Sequence, residues 1–535
     1  MAPGFTRILL ALAAALFLVA PAGRSSATPP PAAVEYTVLL SGHPAGGLVV
    51  WSAGPNSRST FFTYTDRGRG PQLNSTTVVG GDLLPATFDV SGVDYLKAPV
   101  EESFARENGV ATWRSAADAG TTPAHGYYLP NQANSEDLAG LARALLLAPN
   151  HELDLIPAGH VRIETSGGLA VRYEFTTPGP QPKPLDATLY LIDGLGFSPL
   201  PIWLDQDRQL VFEGSTWLGT VRTDWEAKAP DLVKRQDAVL AQRAREQAKV
   251  LADKPDVPVA FIHVNVFDAE TKTLKRDQTV VIEGDRITAV GPAAKVRYKY
   301  ATRAIDGRGK TLIPGLWDMH VHLSSDSDGL LDLMTGVTTV RDLANDTDEL
   351  LARRKAFDSG ELVGPRVLMA GIIEGPGPLA GPTKTLVSTP EEAIAAVDQY
   401  AKLGYVQVKI YSSVKPELVP VIVKEAHAKG LRVSGHVPAG MVMRQAVEAG
   451  YDEVQHANFW FLNFMGPEVT AKTNSMARFY EVGAHAWELD QGSAPVKDFV
   501  ALLKAHDTVV DPTLVAFEDM FLDRKSTRLN SSHTD

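Results

Sequence analysis

Leu312-Ile313-Pro314-Gly315-Leu316-Trp317-Asp318-Met319-His320-Val321-His322 is an apolar, strand-like run that closes on two histidines two positions apart. Residues two apart on a strand share a face, so His320 and His322 project together from one end. Working outward from there, strand-like runs alternate with helical stretches: Leu312 to His322, Thr338 to Asp342, Arg366 to Gly371, Tyr405 to Tyr411, Arg432 to His436, Glu453 to His456 and Thr508 to Thr513. Alternation of this kind predicts a parallel sheet built from βα units.

The fold class is therefore α/β, a TIM (β/α)8 barrel that is incomplete, with about seven strands visible. A closed barrel needs eight strands and typically ~250 residues, whereas Leu316 to Leu522 spans 207. Just upstream, residues 257–313 read as the N-terminal part of a small composite β-unit: Phe261 to Phe267 alternates, and Thr279 to Ile282 and Ile287 to Val290 flank the turn Glu283-Gly284-Asp285-Arg286. Residues 231–256 carry helical spacing and read as a linker helix. Residues 34–230 form a separate β-rich domain of short runs, including Tyr36 to Leu40, Gly47 to Trp51, Phe61 to Tyr64 and Thr188 to Ile192, punctuated by Gly, Pro, Asn and Asp.

Residues 1–27 read as a signal peptide, with Arg7 before thirteen apolar residues and Ser25-Ser26-Ala27 at the cleavage point. Thirteen is short of the ~20 needed to span a bilayer, so the expectation is export to the periplasm or the extracellular space, with no membrane contact after cleavage. Net charge −12, without a basic cluster, argues against nucleic acid as a partner. The chain has no cysteine, which leaves His, Lys and carboxylates as candidate ligands for any metal.

A lone HxH is a weak signal, but further strand ends carry chemistry. Lys409 sits in the apolar run Val406-Gln407-Val408-Lys409-Ile410-Tyr411, where a bare ammonium is costly to bury. His436 and His456 each end another strand. Four histidines and an inward lysine on one rim point to a site.

Ile313 to His322, Gly336-Val337-Thr338-Thr339-Val340-Arg341-Asp342, Val408-Lys409-Ile410-Tyr411, Gly435-His436 and Gln455-His456 together resemble the metal-dependent amidohydrolase superfamily, in its prolidase-like and imidazolonepropionase-related branch. The resemblance covers about Val257 to Phe521. It implies that His320 and His322 bind a first metal, that His436 and His456 bind a second, and that a carboxylated Lys409 bridges the two. The implied cofactors are two divalent metal ions, zinc by default, and the implied chemistry is hydrolysis of a C–N bond, amide or peptide-like, by a metal-bridging hydroxide. The expected partner is a small-molecule or dipeptide-like substrate; homo-oligomer formation stays open. The resemblance also implies an aspartate at the end of strand eight. Asp511 does not fill that place, because Val509 to Leu514 resembles strand seven.

Residues 523–535 resemble one reading frame of a sequencing-library adapter. On that reading the natural sequence stops near Leu522, the aspartate is missing, and this chain is expected to be an inactive fragment that does not hold metal stoichiometrically. Two alternatives stand beside the binuclear hydrolase: a mononuclear deaminase or imidazolonepropionase-like cyclic amidohydrolase, and a non-catalytic binding protein on the same scaffold. Tyr411, on the face of Lys409, either hydrogen-bonds a substrate carboxylate or is a packed aromatic. Arg341 and Asp342 are candidates to support the site from behind, and Gly371 to Pro382 is either a substrate loop or a plain connection. His43, His125, His151 and His160 in the β-rich domain, and His263, His427, His485 and His506 beyond it, lack ligand spacing and are expected to be structural or solvated, as are Asp326 and Asp328.

Overall fold

The computed structural model describes residues 32–165, 172–177, 183–299, 302–381 and 383–521. The leader at 1–27 and the tail at 523–535 lie outside these residues. The first architectural unit is one large mixed sheet of sixteen strands. Strands from Val34–Leu40 to Ala119–Pro123 follow one another as neighbours, and Leu218–Arg222 pairs with Val34–Leu40 to join them to the second half. Alternating burial, as in Val34–Leu40, packs one face onto Ser135–Leu147, a helix missed by the sequence reading. Its signal was present: Asn134 and Asp137 form a capping box ahead of an Ala- and Leu-rich run. Gln72–Val79 and Pro99–Glu107 were also missed, because their Thr, Ser and Glu content masks a strand paired on both sides.

The linker helix spans Ala229–Leu251, with Pro230 in its first turn, where a missing N–H costs nothing. Leu232 and Val233 are buried against Trp203, whose Nε1 donates to Gln236 Oε1 at 3.1 Å. The composite β-unit follows as five strands, with Glu283 paired to Arg286 across Gly284-Asp285.

The third unit is the partly closed, curled parallel sheet of an incomplete barrel. Five strands, Leu316–Val321, Val337–Asp342, Arg366–Ile373, Gln407–Ile410 and Arg432–Gly435, pair in chain order. Glu453–Gln455 and Val509–Asp511 form a further parallel pair. These are the seven strands expected. The first is shorter than its apolar run, because Thr311–Leu312 pairs with the composite unit and Pro314, lacking an N–H, separates the two pieces. The fourth strand is buried along its whole length, as a strand covered on both faces must be. Helices Thr347–Ser359, Pro390–Lys402, Val419–Ala428 and Ala494–Ala505 cover the outside; Val340, Val408, Ile422, Val433, Val454 and Phe499 lie in the common core. Apolar side chains on the two outer strands and just past the last of them, Leu316, Trp317, Met319, Val509, Leu514 and Val515, are exposed. No helix among the described residues is long and apolar enough to cross a membrane.

Phe499 is fully buried and packs on Trp460 and Phe464 at ring separations of 5.4 and 5.8 Å. Phe499→Ala is expected to cost ~3–5 kcal/mol in urea unfolding. Trp317→Ser, on the exposed outer strand, is expected to stay within ~0.5 kcal/mol of the parent and to reduce binding of a hydrophobic dye.

Candidate functional site

Each candidate residue sits at or just past the C-terminal end of a parallel strand, the end where barrel sites are built. His320 lies in the first strand with His322 one residue beyond it, Lys409 is in the fourth with Tyr411 just after, and His436, His456 and Asp511 end the fifth, sixth and seventh. The structure brings the four histidines together. Ring centroids are 5.4 Å apart for His320 and His322, 5.2 Å for His320 and His456, and 4.8 Å for His436 and His456.

Lys409 is fully buried among them. Its Nζ lies 3.4 Å from His320 Nε2, and His320 Nδ1 lies 2.8 Å from Asp511 Oδ2. A hydrogen-bonded chain therefore runs from ammonium through imidazole to carboxylate. Asp511, set aside in the sequence reading, reaches the site from the seventh strand itself. His322 Nδ1 donates to Ala344 O at 2.8 Å, and His456 Nδ1 shares a hydrogen bond with Thr513 Oγ1 at 2.9 Å. Tyr411 stacks on His436 at 4.2 Å, with the Lys409 ammonium 5.2 Å from its ring centre. Arg478 Nη1 donates to His436 Nδ1 at 3.3 Å, and Ser412 Oγ lies 2.9 Å from the same nitrogen.

Burial first, then the charges of Lys409, His322 and Arg341, hold His320 far below the usual imidazole range. Burial likewise dominates at His436, followed by His456 and Arg478, and at His456, followed by Lys409 and His320. These three rings are neutral at pH 7. Burial raises the Asp511 carboxyl, with Arg341 and Lys409 opposing it.

The metal expectation is corrected here. The described residues contain no group of three or more His, Cys, Asp or Glu side chains placed to hold a metal ion. Two zinc ions on His320, His322, Lys409, His436 and His456 are therefore not supported, nor is a metal-dependent hydrolase acting through them. The hydrogen bonds give the physical reason. Metal binding needs imidazole lone pairs converging at ~2.0–2.1 Å from one point. Here His320 Nε2 faces the Lys409 ammonium and His436 Nδ1 faces the Arg478 guanidinium, so two lone pairs are turned onto the protein's own cations.

Behind the site, Arg341 is buried and pairs through both terminal nitrogens with Glu453, Nη1 to Oε2 at 2.7 Å. Its Nε donates to Met319 O at 2.8 Å and its Nη1 to Gln407 Oε1 at 3.3 Å. Asp342 accepts from the N–H groups of Leu323 and Ala344 and from Asn345 Nδ2, at 2.8, 3.2 and 3.1 Å. The loop after the third strand carries Glu374, buried, accepting N–H bonds from Gly375, Gly381 and Ser413 at 2.8, 2.9 and 2.8 Å. Glu374, Ser412 and Arg478 were missed in the sequence; Glu374 directly follows strand three and was open to detection, while Arg478 sits on the helix Ala477–His485 with no motif around it. His43, His125, His151, His160, His427, His485 and His506 are exposed and His263 is half-buried, away from the site. Asp328 accepts from the N–H groups of Ser324 and Ser325, and Asp326 pairs with Arg353.

Glu453→Gln strands the buried Arg341 and is expected to cost ~3–5 kcal/mol, with the Arg341→Met/Glu453→Gln pair recovering part of that loss. The three depressed histidines set the sign of an acid effect. Below the unfolded value of ~6.5 the unfolded chain binds more protons than the folded one. The stability of the neutral rings is therefore complete above that pH and lost as pH falls towards their folded values. Urea midpoints are expected to drop between about pH 7.5 and about pH 5.5, and His456→Gln to flatten the drop; a midpoint that rises on acidification contradicts this.

No family model matches the chain. Ochratoxinase of Aspergillus niger is 25% identical over 275 residues, covering 39% of this chain and 56% of that protein, so the chain spans little more than half of that relative. Imidazolonepropionase of Chloroflexus aggregans is 47% identical over 49 residues, 9% of this chain and 12% of the relative. Among solved structures, a Xaa-Pro dipeptidase with bound methionine in the active site shares 20% identity over 48% of this chain and 79% of its own, at a TM-score of 0.36. Molinate hydrolase shares 19% over 48% and 73%, at 0.35. Both structural likenesses are too loose to carry a functional inference. On the sequence relatives, at low identity and over part of its length, the chain shows superfamily-level homology to the amidohydrolases.

Proposed function

We propose that this chain is a non-catalytic binding protein on the amidohydrolase scaffold, taking a small amide- or dipeptide-like ligand at the C-terminal mouth of the curled parallel sheet. One observation carries the reading: the fully buried Lys409 ammonium stands among the four histidines, 3.4 Å from His320 Nε2, where no metal-holding cluster is found among the described residues. A buried cation beside neutral imidazoles and the Tyr411 face suits a partly negative, planar ligand group such as an amide carbonyl or a carboxylate. Its superfamily relatives act on C–N bonds; here the scaffold and the rim of polar side chains serve recognition. The ligand packs on Tyr411, with Lys409 5.2 Å behind that ring, and Asp511, through His320, keeps the lysine-facing nitrogen an acceptor.

Calorimetric titration of the full chain with glycyl-L-proline and N-acetyl-L-proline, in metal-depleted buffer, tests this. Saturable binding with the ligand recovered intact is the expected result, and Lys409→Met is expected to weaken it by at least ~10-fold, or ~1.4 kcal/mol. Stoichiometric metal uptake accompanied by release of proline overturns the reading, as does binding that is indifferent to Lys409.

A further inference from the structure

A narrow cleft opens beside this mouth, between the N-terminal sheet unit and the barrel. It is lined by Arg67 and Arg69 from one side and by Glu374, Tyr411, Ser412 and Arg478 from the other. The cleft is small and opens to solvent.

The two arginines arrive on a tight hairpin turn. Asp66 and Arg69 exchange backbone hydrogen bonds of 2.9 and 2.8 Å, and Arg67 and Gly68 between them both have positive φ, 51° and 83°, the backbone that a two-residue turn joining twisted strands requires. Asp66 braces both side chains: Arg67 donates to it through Nε at 2.8 Å and Nη2 at 3.2 Å, and Arg69 through Nη2 at 2.9 Å. Tyr95 adds its hydroxyl to the same carboxylate, and the Arg69 guanidinium lies 5.0 Å over the Tyr95 ring. The same part of the N-terminal unit is tied to the barrel, because the Tyr480 hydroxyl donates to Leu96 O, and Tyr480 shares a helix with Arg478. Three guanidiniums thus converge on the cleft against the two carboxylates of Asp66 and Glu374. Glu374 already accepts three backbone N–H bonds. The net charge is positive, with Lys409 behind it.

We propose that the Asp66–Arg69 turn is the specificity element of the site, with Arg67 and Arg69, together with Arg478, receiving the free carboxylate of the ligand. The inference rests on the binding reading above and adds to it the class of ligand: one with an anionic end. Guanidiniums held in place before binding lose little freedom on contact and recognise a carboxylate through paired N–H donors.

The experiment compares two probes on the full chain, N-acetyl-L-proline and N-acetyl-L-prolinamide, which differ in the charge of one end. The parent is expected to prefer the acid by ~10-fold or more. Arg67→Ala, at the less buried arginine and so the milder of the two substitutions, is expected to abolish that preference by weakening binding of the acid, and Arg67→Lys to restore part of it. Thermal unfolding of each variant verifies that the turn still folds. Equal affinity of the two probes for the parent, or a preference that survives Arg67→Ala, overturns the assignment while leaving the binding reading intact. Failure of both probes to bind the parent overturns both.

Discussion

The buried ion pair between Arg341 and Glu453 is the constraint on which the barrel unit depends. It joins the second and sixth strands directly and, through Met319 O and Gln407 Oε1, reaches the first and fourth as well. Glu453 Oε1 also accepts from Gln455 at 2.7 Å. Strands that share no backbone ladder are thereby held at one curvature. A buried charge pair adds little net stability of its own, yet it is costly to break once formed. What it supplies here is a unique arrangement of strand ends, and every side chain of the site is mounted on those ends.

Given that arrangement, the chemistry at the mouth follows from competition for lone pairs. Imidazole nitrogens that would serve a metal are instead satisfied within the protein, by the Lys409 ammonium at His320 and by Arg478 at His436. Burial keeps the rings neutral. The ligand set implied by resemblance is present as residues and is organised differently as geometry.

The N-terminal sheet, which carried no motif, turns out to border the site. Arg67 and Arg69 reach the cleft because the turn that bears them lies near the Tyr480 anchor. Their presentation depends on a positive-φ turn and on a buried aspartate that holds both guanidiniums. Residues of both units therefore line one cleft, and neither half contains it alone.

Much was legible in the sequence. The period of apolar runs announced seven parallel strands, since a strand covered on both faces must be apolar through its length, and the hairpin at Gly284 and the linker helix followed from turn chemistry and helical spacing. The clustering of His320, His322, Lys409, His436 and His456 was legible too, because strand ends in a parallel barrel unit share one rim. Whether those side chains hold a metal is decided in three dimensions, by which way each ring turns and which cation it meets, distances that no spacing encodes. The same holds for Asp511, which reaches His320 from the seventh strand, and for Arg67, Arg69 and Arg478, which are ordinary surface-type residues in the sequence. Local sequence determines elements through short-range periodicity; only the tertiary fold, by bringing residues hundreds of positions apart within a few ångströms, decides what those elements can bind.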